Sequence, residues 1–119
     1  MRKYHNHKIT ENGKTFDSKK EFRRWQELLL LEKSGKIRNL RRQVPFELVP
    51  AMREPPTIGP RGGVKQGRTI EKAVTYVADF VYEQDGKTVV EDTKGVRTAD
   101  YIIKRKLMMW RHGIRIVET

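Results

Sequence analysis

The sequence predicts an α/β fold, a mixed β-sheet with a helix on either side. Three observations carry that prediction. Asn12-Gly13 and Asp85-Gly86 each sit between β-branched or aromatic runs and read as hairpin turns. Two segments, opening at Ser18 and Thr98, carry apolar residues at helical spacing behind capping residues. A last apolar run, Ile114 to Val117, reads as a short strand after the second helix.

The elements follow in order. Lys8-Ile9-Thr10 and Lys14-Thr15-Phe16 flank Asn12-Gly13 as an N-terminal hairpin. The first helix starts near Ser18. Phe22, Trp25, Leu28, Leu29 and Glu32 keep helical spacing, and Gly35 is placed to stop it. Arg42 to Val49 reads as a strand with Val44, Phe46 and Leu48 on one face, and Pro45 argues for a sheet edge. Ala51 to Arg68 holds three of the five prolines and four of the nine glycines. That composition is too broken for regular structure and predicts a mobile basic loop over residues 51–70. The central hairpin runs from Tyr76 to Gly95 around Asp85-Gly86. The second helix spans about Ala99 to His112, with Thr98 before it and Gly113 after it. Ala99, Ile102, Ile103, Leu107 and Trp110 form its apolar stripe. The order is hairpin, α, β, β, β, α, β, without internal repeats, in a single domain over 1–119.

Composition narrows the function. A chain of 119 residues with a net charge of +11 and a pI near 10.1 favours a polyanionic partner. No apolar run approaches the ~20 residues of a membrane span, and Met1 to His7 has no apolar signal region. The absence of cysteine excludes disulfides, thiolate metal sites and cysteine nucleophiles, and fits a reducing cytoplasm. Nucleic-acid binding is the bland expectation and nuclease chemistry the sharp one.

The central hairpin supplies the sharp one. With a two-residue turn at Asp85-Gly86, Gln84 faces Lys87, Val81 faces Val90, Asp79 faces Asp92 and Val77 faces Lys94. Strand alternation puts these last six residues on one face of the sheet. Opposed carboxylates roughly 4.5–5.5 Å apart at Cβ destabilise a strand pair unless a cation lies between them. Hard divalent ions take carboxylate oxygens, and magnesium commonly uses one or two of them plus water and phosphate oxygens. Lys94, beside two acids, suits a cationic role, holding the attacking water or stabilising the transition state. The same residues also suit a pair of solvated acids with Lys94 as a salt-bridge partner. Glu91 rivals Asp92, but strand parity sends it to the opposite face.

Glu21 precedes Trp25 and Leu28 by four and seven residues and so borders the buried face of its helix. It suits a further ligand at the sheet. It also completes a capping box, Ser18-Lys19-Lys20-Glu21, folding back onto the Ser18 amide. His5 and His7 have metal-ligand spacing but no third ligand, and read as a tail. Gly59 to Gly67 is glycine-rich without a phosphate-loop signature. Arg53, Arg61, Lys65 and Arg68 suit phosphate contacts, or a solvated loop. Lys104, Arg105 and Arg111 on the second helix suit a phosphate-contacting edge or an ordinary wet face.

Asp79 followed by Asp92-Thr93-Lys94 resembles the PD-(D/E)xK nuclease signature. Ser18-Lys19-Lys20-Glu21 resembles the helical acid of that superfamily. Phe16 to Glu21, Gly35-Lys36-Ile37, Gln43 and Tyr76 to Phe80 together are similar to its phage-encoded, Holliday-junction-resolvase-like branch, from about Asn6 to Glu118. Ala78 stands where the signature has proline, and Asp92 replaces the commoner glutamate. The resemblance implies a restriction-endonuclease-like core, Mg2+ or Mn2+ dependence and cleavage of DNA, with branched DNA the expected substrate. It makes Asp79 and Asp92 metal ligands, Glu21 an additional one, and Lys94 the catalytic lysine, with the Thr93 carbonyl facing the metal. Symmetric cleavage of a junction implies a homodimer.

Overall fold

Both Asx-Gly dipeptides form the turns their residue types favour, in a computed structural model that describes residues 8–119. His5 and His7 lie outside the described residues. Asn12 (φ +51°) and Gly13 (φ +76°) are both left-handed, as are Asp85 (φ +52°) and Gly86 (φ +75°). That is the type I′ geometry, whose twist matches flanking strands. The first turn pairs β1 (Ile9–Glu11) with β2 (Lys14–Phe16).

Helix α1 (Lys19–Lys33) follows. Its N-cap is Ser18, whose Oγ accepts from the Glu21 amide at 3.1 Å. At its end Gly35 turns left-handed, φ +80°, and the Gly35 and Lys36 amides bond back to Glu32 and Leu31 carbonyls. This pair of bonds is a Schellman stop. Strand β3 (Arg38–Val49) comes next, then an excursion with four short strands: β4 (Met52–Arg53), β5 (Thr57–Ile58), β6 (Val64–Lys65) and β7 (Thr69–Glu71). Strand β8 (Val74–Gln84), β9 (Lys87–Asp92), α2 (Ala99–His112) and β10 (Val117–Glu118) complete the chain.

The main sheet has the order β10-β9-β8-β3. Only β10–β9 is parallel, so the sheet is mixed. Pro45 sits on β3, an edge strand, where its missing N–H costs no ladder bond. Each face carries one core. On the α1 side Trp25 and Leu28 pack with Phe16, Ile37, Phe80 and Tyr82. On the α2 side Tyr101 and Met108 pack with Leu48, Tyr76, Ala78, Val81, Val90 and Ile116. No helix among the described residues is long and apolar enough to cross a membrane.

Two expectations are corrected here. The segment over 51–70 does contain regular structure: β4 pairs with β7 and β5 with β6, building an antiparallel arm. The broken composition concealed close packing of backbone. A Cβ at Gly67 would stand 1.8 Å from the Glu54 carbonyl oxygen, so only glycine lets the two strands pass. The apolar stripe of α2 is also different. Tyr101 and Met108 are buried, whereas Ile103 and Trp110 are 58% and 79% exposed. The two pairs share a seven-residue spacing but are offset by two residues, about 200° around the helix. Tyr101 wins the inner face because β10 supplies a partner: its hydroxyl donates to Glu118 at 2.7 Å.

Candidate active site

The site begins at a fault in strand alternation. On β3, Arg42 lies over the Phe16 ring at 4.0 Å, on the α1 side, while Val44, Phe46 and Leu48 belong to the α2 side. On β8, Tyr76 and Ala78 face α2, but Phe80 and Tyr82 face α1. Even-numbered residues therefore change sides in both strands at the same place. The ladder pairs Arg42↔Phe80 and Val44↔Ala78 bracket Gln43 and Asp79, which form no ladder pair themselves. Gln43 has φ +52°, a left-handed conformation that costs a non-glycine residue about 1–3 kcal/mol and clusters at functional sites. The six-residue face expected from simple alternation is broken here. Val77, on the near side of the fault, is exposed and does not join Val81 and Val90.

The turn register does hold to Gln84↔Lys87 and Val81↔Val90, and the β8–β9 ladder ends at Phe80↔Glu91. Asp79 and Asp92 lie one step beyond. Asp79 turns its carboxylate onto the end of β9, where Oδ2 accepts from the Thr93 amide at 2.9 Å. Asp92, the last residue of β9, is buried. Its Oδ2 accepts from the Tyr76 hydroxyl at 2.8 Å and lies 3.1 Å from Lys94 Nζ. Lys94 is past the strand rather than opposite Val77: its amide bonds to the Thr119 carbonyl. The ammonium also sits 4.0 Å over the Tyr101 ring, a cation–π contact that fixes its long side chain.

Glu21 comes from the first turn of α1 and is 3% exposed. Ser18 caps its amide, but its side chain does not return to Ser18: Oε2 accepts from the Asp17 amide at 3.3 Å. Oε1 faces Arg42 at 3.7 Å and Gln43 Nε2 at 3.5 Å. The same Gln43 nitrogen stands 3.5 Å from Asp79 Oδ1. Glu21 is thus joined to Asp79 through a carboxamide and not as the third member of a carboxylate trio. Among the described residues no three His, Cys, Asp or Glu side chains form a ready-made metal cage.

The local fields are those of a crowded anionic site. Burial first, then the hydrogen bond and charge of Asp92 and the charge of Glu21, push the Asp79 carboxyl up to about 8; the Thr93 amide opposes this. Burial, then the charge of Asp17, raises Glu21, against the Asp17 amide and Arg42. Burial and Asp92 raise the Tyr76 hydroxyl, so it stays a donor. The acids and Lys94 open into a cleft of about 360 Å³, lined also by Asp17, Ser18, Lys20, Thr93, Gly95, Val96 and Thr98.

Glu91 faces the other side of the sheet and is fully buried. Arg24 Nε and Nη2 clamp its two oxygens at 2.8 Å each, and the Tyr82 hydroxyl donates to it as well. Its role is to brace α1 against β9, one residue from Asp92 and one helical turn from Glu21. Arg53, Arg61, Lys65 and Arg68 are exposed on the arm, and Arg53 Nη1 donates to the Gly67 carbonyl at 3.2 Å. Lys104 and Arg105 are half-buried on α2 and do not line the cleft; Arg105 Nη1 reaches Glu118 at 3.3 Å. Sequence reasoning assigned no chemistry to Gln43, Tyr76 or Tyr101. Tyr76 carried a usable signal, a tyrosine at a core position of the acid's own strand, whose hydroxyl needs a partner.

The sequence pattern of one family, described as protein of unknown function (DUF1064), matches residues 1–116. The chain belongs to that family. The family's matched span includes Glu21, Gln43, Asp79, Asp92 and Lys94. Thr119, whose amide bonds to the Asp92 carbonyl at 3.0 Å, falls past it. Neither the curated proteins nor the solved structures contain a match to this chain.

Proposed function

We propose that this chain is a metal-dependent DNA endonuclease of the PD-(D/E)xK type, with a restriction-endonuclease-like core, that acts on branched DNA such as Holliday junctions in the cytoplasm. One observation carries the reading: Glu21 on α1, Asp79 on β8 and the run Asp92-Thr93-Lys94 at the end of β9, three points of the chain, meet in one open cleft.

The donor set fits a hard divalent ion. Two carboxylates in one cleft suit magnesium, which leaves its remaining positions to water and other oxygens and so needs no trio of acids. Asp79, Asp92 and the Thr93 carbonyl would hold it, with manganese able to substitute, and Glu21 assists through Gln43. Bound there, the ion would supply charge neutralisation and an activated water at the scissile phosphate. The chain's own residues do the rest. Tyr76 fixes the Asp92 carboxylate in one orientation. The Thr93 amide and Gln43 orient Asp79. Lys94, a quarter exposed at the cleft, offers its charge to the phosphate oxygens as negative charge develops. The net charge of +11 draws DNA to the surface. Two such sites, one from each subunit of a homodimer, would cut a junction symmetrically.

Cleavage of labelled four-way junctions and duplexes with magnesium tests this. Asp92→Asn and Lys94→Ala should each lower the rate at least about 100-fold, the scale of losing one charged transition-state contact. Cleavage by both variants at the wild-type rate would overturn the site. Salt-sensitive binding without turnover would mark a non-catalytic DNA-binding protein on the same scaffold.

A further inference from the structure

The arm between β3 and β8 is built as a ribbon that no other element among the described residues covers. Pro50 to Thr75 are all exposed except Gly59 and Gly67, which are half-buried. Among the described residues its strands pair only with one another. The tip is well defined. The Gly62 amide donates to the Gly59 carbonyl at 3.0 Å, and the Gly59 amide to the Gly63 carbonyl at 2.8 Å. Pro60 in the second position and left-handed Gly62 (φ +81°) make this a type I turn closed by a glycine bulge.

Just behind the turn, Ile58 and Val64 are direct cross-strand partners, 78% and 74% exposed. They share one face of the ribbon; Thr57 and Lys65, the neighbouring pair, take the other. Arg61 lies in the turn itself. Two β-branched side chains held together in water, with Arg61 in the adjoining turn and Lys65 in the next pair, contribute little burial to this fold. They suit a partner that offers phosphates and an apolar surface together, which nucleic acid does where bases are unstacked.

We infer that the arm is a branch-point probe for DNA. The ribbon lies in a duplex groove with Arg61 and Lys65 on phosphates, and the Ile58–Val64 pair seats against unstacked bases. The inference rests on the DNA reading above and adds a reason for preferring branched substrates. A two-stranded ribbon fits the major groove of B-DNA, about 12 Å wide, but not the deep, narrow major groove of A-form RNA. In an intact duplex, apolar insertion must first break a base stack; at a branch the stack is already interrupted. Val64 is fifteen residues along the chain from Asp79, at most about 50 Å, so tip and cleft can engage one junction.

The test is binding in EDTA to a four-way junction carrying 2-aminopurine at the branch, against a linear duplex of the same sequence. The wild-type chain should prefer the junction and raise the 2-aminopurine fluorescence. The double variant Ile58→Thr/Val64→Thr keeps β-branched residues in the ribbon. It should lose the fluorescence rise and about tenfold of the junction preference, the scale of about two buried methylene groups, while duplex affinity stays within about twofold. Arg61→Ala/Lys65→Ala should weaken both complexes and flatten the log–log salt slope by about 2. Unchanged melting of each variant would show that the core is intact. A threonine variant that keeps both preference and fluorescence change would overturn the inference and leave the nuclease reading standing. So would an RNA junction that binds as tightly and depends on the same two residues. Failure of the wild-type chain to bind any DNA would overturn both.

Discussion

Replacing Arg24 with methionine removes both of its hydrogen bonds to the Glu91 carboxylate while keeping most of the side-chain volume. The structure sets the size of the effect. Glu91 is completely buried and Arg24 about one quarter exposed. Arg24 forms two charge-assisted bonds of 2.8 Å, leaving only the Tyr82 hydroxyl if they are lost. An uncompensated buried charge of this kind costs about 3–5 kcal/mol. That is a large fraction of the 5–15 kcal/mol that holds a domain together. Glu91→Gln should cost less, about 1–3 kcal/mol, because Arg24 keeps Glu27 at 2.9 Å and partial contact with water. The double variant Arg24→Met/Glu91→Leu has neither charge and should be more stable than Arg24→Met alone, with a coupling of at least about 1 kcal/mol. Urea titration followed by Trp25 fluorescence would measure this, since Trp25 lies in the α1-side core. A cost below about 1 kcal/mol for Arg24→Met, or strictly additive losses, would refute the claim that this pair braces α1 against the sheet.

Three further outcomes are expected. In metal-free buffer, stability should fall as pH rises from about 4 to 8. Asp79 titrates near 8 in the folded chain against 3.8 ordinarily, so the folded state holds a proton that the unfolded state has released. Asp79→Asn should remove that slope and gain roughly 1–3 kcal/mol at pH 8, less than the ceiling of about 5 because the site meets solvent; thermal melts across pH, with an unchanged slope as the contrary result, would decide. Gln43→Gly relieves the left-handed strain at the strand fault, so stability should hold or rise by up to about 1 kcal/mol. The proposed DNA cleavage should slow as Glu21 and Asp79 lose their shared carboxamide, and an unchanged rate would remove Gln43 from the site. On α2, Ile103→Ser and Trp110→Ser should each change stability by less than about 0.5 kcal/mol, whereas Met108→Ala should cost about 2–5 kcal/mol. Equal losses by denaturant melts would mean that the helix is rotated.

Much of the site was legible because strand pairing and turn chemistry are local. Asp85-Gly86 fixed the β8–β9 register, and that register alone sent Glu91 to one face and Asp92 to the other. Ser18 and Gly35 bounded α1 for the same kind of reason. Three features were not legible. The arm was hidden because its prolines and glycines resemble disorder until Gly67 is seen passing the Glu54 carbonyl. The inner face of α2 could not be chosen from periodicity, since Tyr101–Met108 and Ile103–Trp110 have equal spacing. The fault at Gln43 and Asp79 left no trace in a pattern that assumes strict alternation.

The sequence by itself determined an α/β chain with two type I′ hairpins, two capped helices, a strongly basic surface and the order of the acids. Those properties depend on neighbours within a few residues and on summed charge. Only the tertiary structure decided which acids share a cleft, that Gln43 stands between Glu21 and Asp79, and that Lys94 reaches Asp92 from beyond the strand. The Gln43 contacts join residues 22 and 36 positions apart, and the Lys94 side chain is set by Tyr101 on the second helix. They exist because two helices pack on opposite faces of a sheet whose alternation breaks at the acid.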